Sequence, residues 1–270
     1  MKLGLLAGSG LFPLLVARAA KKTGVQIVAL AVRGVTDAEI EKIADHVDYV
    51  RLGQISKPIQ ILKEAGVSKA VMAGKIEHAS LFGSVMPDWR AAKLLAALPD
   101  LRTDTVLGAV ASECLKEGIE LLPSSSFLSH LLAAEGAMTR PPSAKESAEL
   151  SLGFDAAKGL GHFDIGQTVV LSGGAVVAVE GIEGTDACIR RARELTAAHG
   201  ERPPLTVVKT AKPRQDPRFD LPVVGLDTLS LAEECGVAVL GIEAGKTLIF
   251  DKDDFIQRAR AMSLCMVGLK

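Results

Sequence analysis

Apolar positions along the chain fall into short unbroken runs closed by turn residues, and most runs are followed by a segment with helical spacing. Leu3-Gly4-Leu5-Leu6-Ala7 ends in Gly8-Ser9-Gly10, the pattern of a buried strand entering a tight turn. Phe12 to Ala20 reads as a helix with Pro13 in its first turn, where proline is tolerated. Strands are predicted at Gln26–Ala31, Tyr49–Gly53 and Ala70–Gly74, with helices over Asp37–Ala44 and Ile55–Ala65 between them. Strands alternating with helices in this way argue for parallel βαβ units. From Trp89 to Lys116 the pattern is mainly helical, and Gly118–Pro123 reads as one more short strand.

Thr139-Arg140-Pro141-Pro142-Ser143 interrupts both periodicities, and Ser143 is placed to cap a helix over Ala144–Gly159. Beyond it, Gln167–Leu171 and Ala175–Glu180 flank Ser172-Gly173-Gly174 as a hairpin. A helix over Thr185–Ala198 and a strand over Leu205–Val208 follow. Short strands at Ala238–Gly241 and Thr247–Phe250 and a closing helix over Asp251–Met262 complete the pattern. The expected fold class is therefore α/β in two domains. Residues 1–138 form an N-terminal Rossmann-like parallel βαβ domain, residues 139–143 a linker, and residues 144–270 a C-terminal mixed α/β domain.

Composition narrows the function. The chain has 270 residues, is 48% hydrophobic and carries a formal net charge of -1, which describes a soluble protein with a full core and gives no reason to expect a nucleic-acid partner. With 4% aromatic residues, one Trp and one Tyr, base-stacking platforms are not expected either. Cys114, Cys188, Cys235 and Cys265 show no CxxC spacing, so buried free thiols in a reducing compartment fit better than disulfides or zinc. The apolar start breaks at Gly8 and is far shorter than a membrane span of about 20 residues, so a cytoplasmic location is expected.

The chemistry-bearing stretch is Lys212-Pro213-Arg214-Gln215-Asp216-Pro217-Arg218-Phe219-Asp220-Leu221-Pro222, closed by Val224-Gly225-Leu226-Asp227-Thr228. Three prolines exclude a regular helix or central strand, so it runs as a loop. Phe219 and Leu221 argue that the loop is anchored rather than solvated. Its Lys and Arg suit a phosphorylated ligand, and its interspersed Asp suits a divalent cation. Gly8-Ser9-Gly10, between a strand and a helix, suits an anion or sugar at a helix N-terminus, and Lys75 follows the fourth strand at the same kind of edge. Pro13 stands where a dinucleotide fingerprint has its third glycine, which counts against a nicotinamide-dependent oxidoreductase. Arg102 and Asp104 open a helix, where a cap role and a binding role compete. Glu180, Glu183 and Asp186 recur every three residues in a glycine-broken turn that can gather oxygen ligands.

Ala7-Gly8-Ser9-Gly10-Leu11-Phe12-Pro13, Asp164-Ile165-Gly166-Gln167, Val179-Glu180-Gly181-Ile182-Glu183-Gly184-Thr185-Asp186 and the loop from Lys212 to Asp227-Thr228 occur in an order that resembles the LpxI-type UDP-2,3-diacylglucosamine pyrophosphatase family of lipid A synthesis. The resemblance implies hydrolysis of a lipid-bearing UDP-sugar to UMP and 2,3-diacylglucosamine 1-phosphate, with substrate held between two domains. It implies a divalent metal, Mg2+ or Mn2+; by residue chemistry Asp227, with Glu183, Asp186 or Asp220, is the candidate set to hold it or to orient the water. The aspartate of the family's Gly-x-Asp-Thr stretch falls on Asp227, and the chemistry of the loop adds Asp220 and Lys212 as catalytic candidates. Binding falls to Gly8, Ser9, Gly10, Lys75, Arg102, Asp104, Gln167, Thr185, Lys209, Gln215 and Arg218. Leu226 stands where family members often carry Pro, which changes the turn but keeps the carboxylate. Peripheral contact with the inner membrane and a homodimer are expected. A nucleotide-sugar or lipid carrier without catalysis is the competing reading.

Overall fold

The computed structural model of the chain describes residues 1–75, 86–197, 202–213, 215–219 and 221–270. The backbone divides into two compact units, Met1–Ser129 with Asp216–Asp220, and His130–Gln215 with Leu221–Lys270.

The first unit is built on a five-stranded sheet of order β3-β2-β1-β4-β5. Its strands are β1 (Lys2–Ala7), β2 (Gln26–Val32), β3 (His46–Val50), β4 (Lys69–Ala73) and β5 (Glu120–Leu121), all parallel. Helices α1 (Phe12–Lys22), α2 (Ile40–Ile43), α3 (Ser56–Glu64), α4 (Trp89–Ala96) and α5 (Thr103–Lys116) come between or after them. The central strands are apolar on both faces, with Leu3, Leu5, Ile27 and Val71 buried on one and Val28, Leu30 and Ala70 on the other, as a parallel sheet covered on both sides requires. β3 starts three residues earlier than its apolar content predicts. As an edge strand it pairs only with β2, so His46 and Asp48 can sit on it facing water. The expected helix over Asp37–Ala44 shortens to α2, because the Asp37 side chain accepts from the Glu39 N–H at 2.8 Å and makes a turn instead.

The second unit holds a mixed six-stranded sheet of order β6-β13-β11-β9-β7-β8. Its strands are β6 (Gly136–Ala137), β7 (Thr168–Ser172), β8 (Ala175–Val179), β9 (Leu205–Lys209), β11 (Val237–Glu243) and β13 (Cys265–Leu269). A separate parallel pair joins β10 (Val223–Val224) to β12 (Leu248–Ile249). The helices are α6 (Ala144–His162), α7 (Thr185–Thr196), α8 (Leu226–Cys235) and α9 (Lys252–Ala261). One apolar cluster, with Ile189, Leu205, Leu229 and Phe255, lies on one side of the sheet. A second, with Leu150, Leu171, Val208 and Val267, lies beneath α6. The helix comes close there because a β-carbon on Gly153 would stand 2.6 Å from Val208 Cγ2. β6 and β13 escape the sequence pattern, β6 for its two-residue length and β13 because its apolar run ends the chain without a following turn. All four cysteines are buried and unpaired, and burial pushes the Cys114 and Cys188 thiols up to about 11.

The division falls between Ser129 and His130, ahead of the expected 139–143 linker. The physical reason is that residues before the prolines already belong to the second sheet. Gly136 and Ala137 pair with Gly268 and Val267, and Thr139 Oγ1 donates to Leu264 O at 2.6 Å. Ser143 caps α6 as expected. Its hydroxyl accepts from Glu146 N at 3.3 Å and Glu146 accepts from Ser143 N at 2.7 Å, a capping box. Arg140 adds a two-pronged ion pair to Glu146 at 2.6 and 3.0 Å.

Two outcomes follow from this packing. The Arg140 pair holds the Glu146 carboxyl down at about 2. A carboxylate depressed in the fold stabilises above its ordinary pKa, and the contribution is lost as pH falls toward the folded value. Urea denaturation is therefore expected to find Glu146→Gln less stable than the parent at pH 7, by roughly 1–2 kcal/mol after discounting for water around the pair. The gap narrows between about pH 4.5 and pH 2; an unchanged gap at acid pH would rule the pair out as its source. Separately, a β-carbon on Gly166 would lie 2.1 Å from the Glu180 carbonyl oxygen, so Gly166→Ala is expected to cost about 2–4 kcal/mol in the same measurement.

Candidate functional site

In the second sheet β8, β9 and β11 end where β7 begins, because Thr168 stands opposite Lys209, Val169 opposite Val179, and Lys209 opposite Ile242. That edge collects polar groups. Lys209 closes β9, and its Nζ donates to Thr185 Oγ1 at 3.2 Å and to Val223 O at 3.4 Å. It thus stands between the first residue of α7 and the strand that leads into α8. Glu180, 8% exposed just beyond β8, accepts from Thr185 Oγ1 at 3.0 Å and from Gln167 N at 3.3 Å. Thr168 Oγ1 lies 3.2 Å from the same Thr185 hydroxyl. Gln167 Oε1 and Thr210 Oγ1 are buried there without hydrogen-bond partners. The structure therefore brings Lys209, Thr185 and Gln167 together.

A second buried carboxylate, Glu243, closes β11. Burial would raise its carboxyl, but Lys158 at 2.5 Å, Lys246 at 2.9 Å and the Ala211 N–H at 2.8 Å outweigh that and hold it below the usual range. Lys158 also donates to Ala211 O at 2.9 Å, so both backbone groups of Ala211 are held immediately before Lys212.

The long loop is anchored at several points. Lys212 Nζ donates to Asp164 Oδ1 at 2.5 Å, and Lys212 N donates to Gln215 Oε1 at 2.9 Å. Asp164 has φ 60, an αL position at the end of α6 that Asp tolerates better than most residues. Further along, the fully buried Ser124 donates through its N–H and hydroxyl to Pro217 O at 2.9 and 3.0 Å. Arg218 pairs with Asp216 at 2.6 Å, and Phe219 packs on the first unit's core. Arg214 and Asp220 lie outside the described residues, as do Ile76, Glu77 and His78.

Asp227 is exposed in the first turn of α8, and among the described residues no hydrogen bond or ion pair ends on its carboxylate. The expected metal site at Asp227, Glu183 and Asp186 is corrected here: among the described residues, no group of three or more His, Cys, Asp or Glu is gathered to hold a metal ion. The reason lies in their partners. Glu183 accepts from Arg191 at 2.5 Å and from Gly181 N at 3.0 Å. The Arg191 guanidinium holds its carboxyl below the ordinary range and puts a cation where a metal would bind. Asp186 and Asp227 sit on the first turns of two different helices. The donor set does not fit Mg2+ or Mn2+, so the metal-dependent form of the expected hydrolysis is not supported by these residues.

In the first unit, β1 and β4 are neighbours whose following loops flank the point where strand order reverses, the usual ligand crevice of an open parallel sheet. Ser9 N donates to Lys75 O at 2.8 Å, Lys75 N donates to Ser9 O at 3.1 Å, and Gly8 N donates to Ala73 O at 2.8 Å. Gly8, Ser9 and Lys75 are thus together, but the Gly8 and Ser9 N–H groups are already used. Arg102 pairs with Asp100 at 2.7 Å beside Asp104 at the start of α5. The sequence reading missed Thr168, Lys158 and Glu243 as site groups and took Glu180 only as part of an acidic turn. For Glu180 the available signal was its place at the end of the predicted strand Ala175–Glu180.

Comparison with known proteins agrees with this two-unit division. The LpxI N-terminal domain matches residues 2–131 and the LpxI C-terminal domain residues 134–267. The chain is 31% identical over 277 residues to the "UDP-2,3-diacylglucosamine pyrophosphatase LpxI" of Caulobacter vibrioides, covering 99% of this chain and 97% of that protein. Among solved structures it is similar to the biotin carboxylase subunit of pyruvate carboxylase (14% identity, TM-score 0.29, 72% of this chain and 42% of that one). It is equally similar to biotin carboxylase from Campylobacter jejuni (14% identity, TM-score 0.29, 79% and 45%). The chain spans less than half of either, and likeness at that level bears on neither mechanism nor substrate. With both domain models matched in order and a full-length relative at 31% identity, this chain belongs to the LpxI family.

Proposed function

We propose that this protein cleaves the diphosphate of UDP-2,3-diacylglucosamine with water, giving UMP and 2,3-diacylglucosamine 1-phosphate. The observation that carries the reading is the full-length match to the C. vibrioides pyrophosphatase. The edge of the second sheet supports it by its chemistry. Phosphoryl transfer needs charge neutralised on non-bridging oxygens and a water held in line, with little covalent work for the protein. Lys209 and Lys212 supply cations there, and Arg218 is a further cation carried by the loop. Gln167, Thr185 and Gln215 supply polar groups that orient the nucleotide and sugar phosphates. Asp227 takes the proton of the attacking water, assisted by Asp220 and Lys212. An exposed carboxylate in a first helical turn is open to solvent for that role, and the unpaired N–H groups beside it favour an anionic ligand.

In the first unit, the strand order β3-β2-β1-β4-β5 supports the Rossmann-like reading. Gly8, Ser9, Gly10 and Lys75 form the second binding region, with Arg102 and Asp104 at the entry of α5. The acyl chains of such a substrate suit an enzyme working at the inner membrane face. Among the described residues no helix is long and apolar enough to cross a membrane.

The test is UMP release from UDP-2,3-diacylglucosamine in detergent, run with and without added divalent cation so that hydrolysis and cation dependence are read separately. Asp227→Asn is expected to lower kcat by about 10²–10⁴-fold, the range for a lost general base. Lys209→Met is expected to lower it by about 10²-fold or more, as for a lost charge-stabilising donor. Well-folded parent protein that binds the substrate and releases no UMP under either condition would overturn the hydrolase reading in favour of a carrier.

A further inference from the structure

Glu180 is buried, charged and absent from the roles assigned above, yet it touches two residues that have them. Both carboxylate oxygens accept: one from Gln167 N at 3.3 Å, the other from the Thr185 hydroxyl at 3.0 Å. A hydroxyl has one proton and two lone pairs. Since Thr185 gives its proton to Glu180, its lone pairs must face its other neighbours, Thr168 Oγ1 at 3.2 Å and Lys209 Nζ at 3.2 Å. Thr168 then donates, and so does the ammonium. The carboxylate at the end of this chain sets which way the Thr185 and Thr168 hydroxyls donate.

We propose that Glu180 is a positioning residue that acts through Thr185 to aim the Lys209 ammonium at the substrate diphosphate. This inference rests on the hydrolase reading for the identity of the anion but not for the relay itself. Three features support it. Glu180 is 8% exposed, so its carboxylate is not spent on solvent. Gly166 lies against the Glu180 backbone with no room for a side chain, which fixes where that carboxylate stands. Thr185 opens α7 behind Gly184, whose φ of 84 turns the chain into the helix; the hydroxyl is therefore held by the helix start, not by a free rotor. Glutamine cannot replace the carboxylate without loss, because an amide has one accepting oxygen where two donors now converge.

The experiment is a double-mutant cycle on the full chain with two readouts. In turnover, Glu180→Gln is expected to lower kcat at least tenfold with KM changed less than about threefold, and to cause no further loss in the Lys209→Met background. Thr185→Val, which keeps the shape and removes the hydroxyl, is expected to match Glu180→Gln, and Thr185→Ser to restore most of the lost kcat. In urea denaturation, which needs no activity, Glu180→Gln and Lys209→Met are expected to be non-additive in the parent and additive in the Thr185→Val background. Additive losses of kcat in active protein would reduce Glu180 to a structural role and overturn the inference. Should the parent release no UMP, the hydrolase reading fails and the denaturation cycle alone decides the relay, additivity there refuting it. Should Glu180→Gln not fold, the Thr185→Val and Thr185→Ser pair carries the same decision.

Discussion

Two buried carboxylates finish the same edge of the second sheet, and the polar groups of that unit are arranged around what those carboxylates accept. A carboxylate removed from water is costly unless donors reach it. Glu180 meets the requirement with the Gln167 N–H and the Thr185 hydroxyl, Glu243 with Lys158, Lys246 and the Ala211 N–H. In each case one donor is main chain at a strand end: Gln167 just before β7, Ala211 just after β9. The carboxylates therefore fix backbone, and the backbone fixes Lys209, Thr210 and Lys212 in sequence. A buried ion pair such as Lys158–Glu243 adds little net stability. Its effect here is geometric, since it holds both polar groups of the residue that precedes the Lys212 loop.

The first unit solves the corresponding problem without charge. Its two loops at the strand-order reversal bond to each other through main chain, Ser9 to Lys75 in both directions. The approach is so close that a β-carbon on Gly8 would lie 2.7 Å from Lys75 O, and one on Gly74 2.6 Å from Ser9 O. The glycines are thus needed by the loop pairing itself. This shifts the meaning of Gly-Ser-Gly: the first N–H groups of the turn brace the neighbouring loop, and an anion would be left to Gly10, to the start of α1 and to the Lys75 side chain.

The fold was legible where periodicity was clean. The strands β1, β2, β4, β7, β8 and β9 and the long helices stand within a few residues of their predicted bounds, and Ser143 caps α6 as its spacing with Glu146 requires. Edge position and length alone did not decide legibility, since the edge strands β5 and β8 and the two-residue β12 fall within predicted strands; β3 is displaced because it mixes polar residues into its exposed side, and β6 exists only through its pairing with β13. By residue type the sequence points to Lys209, Lys212, Gln215 and Arg218 as candidates. What the chain does not spell out is tertiary: that Gln167, Thr185 and Lys209 meet through Glu180, or that Pro217 and Phe219 turn back to the first unit's core. The hydrogen bonds among them join residues between 13 and 93 positions apart, Phe219 reaches still further along the chain, and no local pattern encodes them.

The expected metal ligands are scattered for a related reason. Carboxylates three apart share a side only on a helix. Glu180, Glu183 and Asp186 are three apart, but they fall on the end of a strand, in a glycine-broken turn and in a first helical turn. Each is therefore sent somewhere different, Glu180 to Thr185 and Gln167, Glu183 to Arg191 and the Gly181 N–H, Asp186 to the start of α7. The same glycines that made the stretch look like a ligand-gathering loop are what separate its acids. The result is an edge on which acids already bear donors and cations, with Lys209 and Lys212 beside them. Positive charge on such an edge comes from side chains whose orientation the acids set, which is the arrangement a diphosphate needs if its charge is to be met by lysine and arginine.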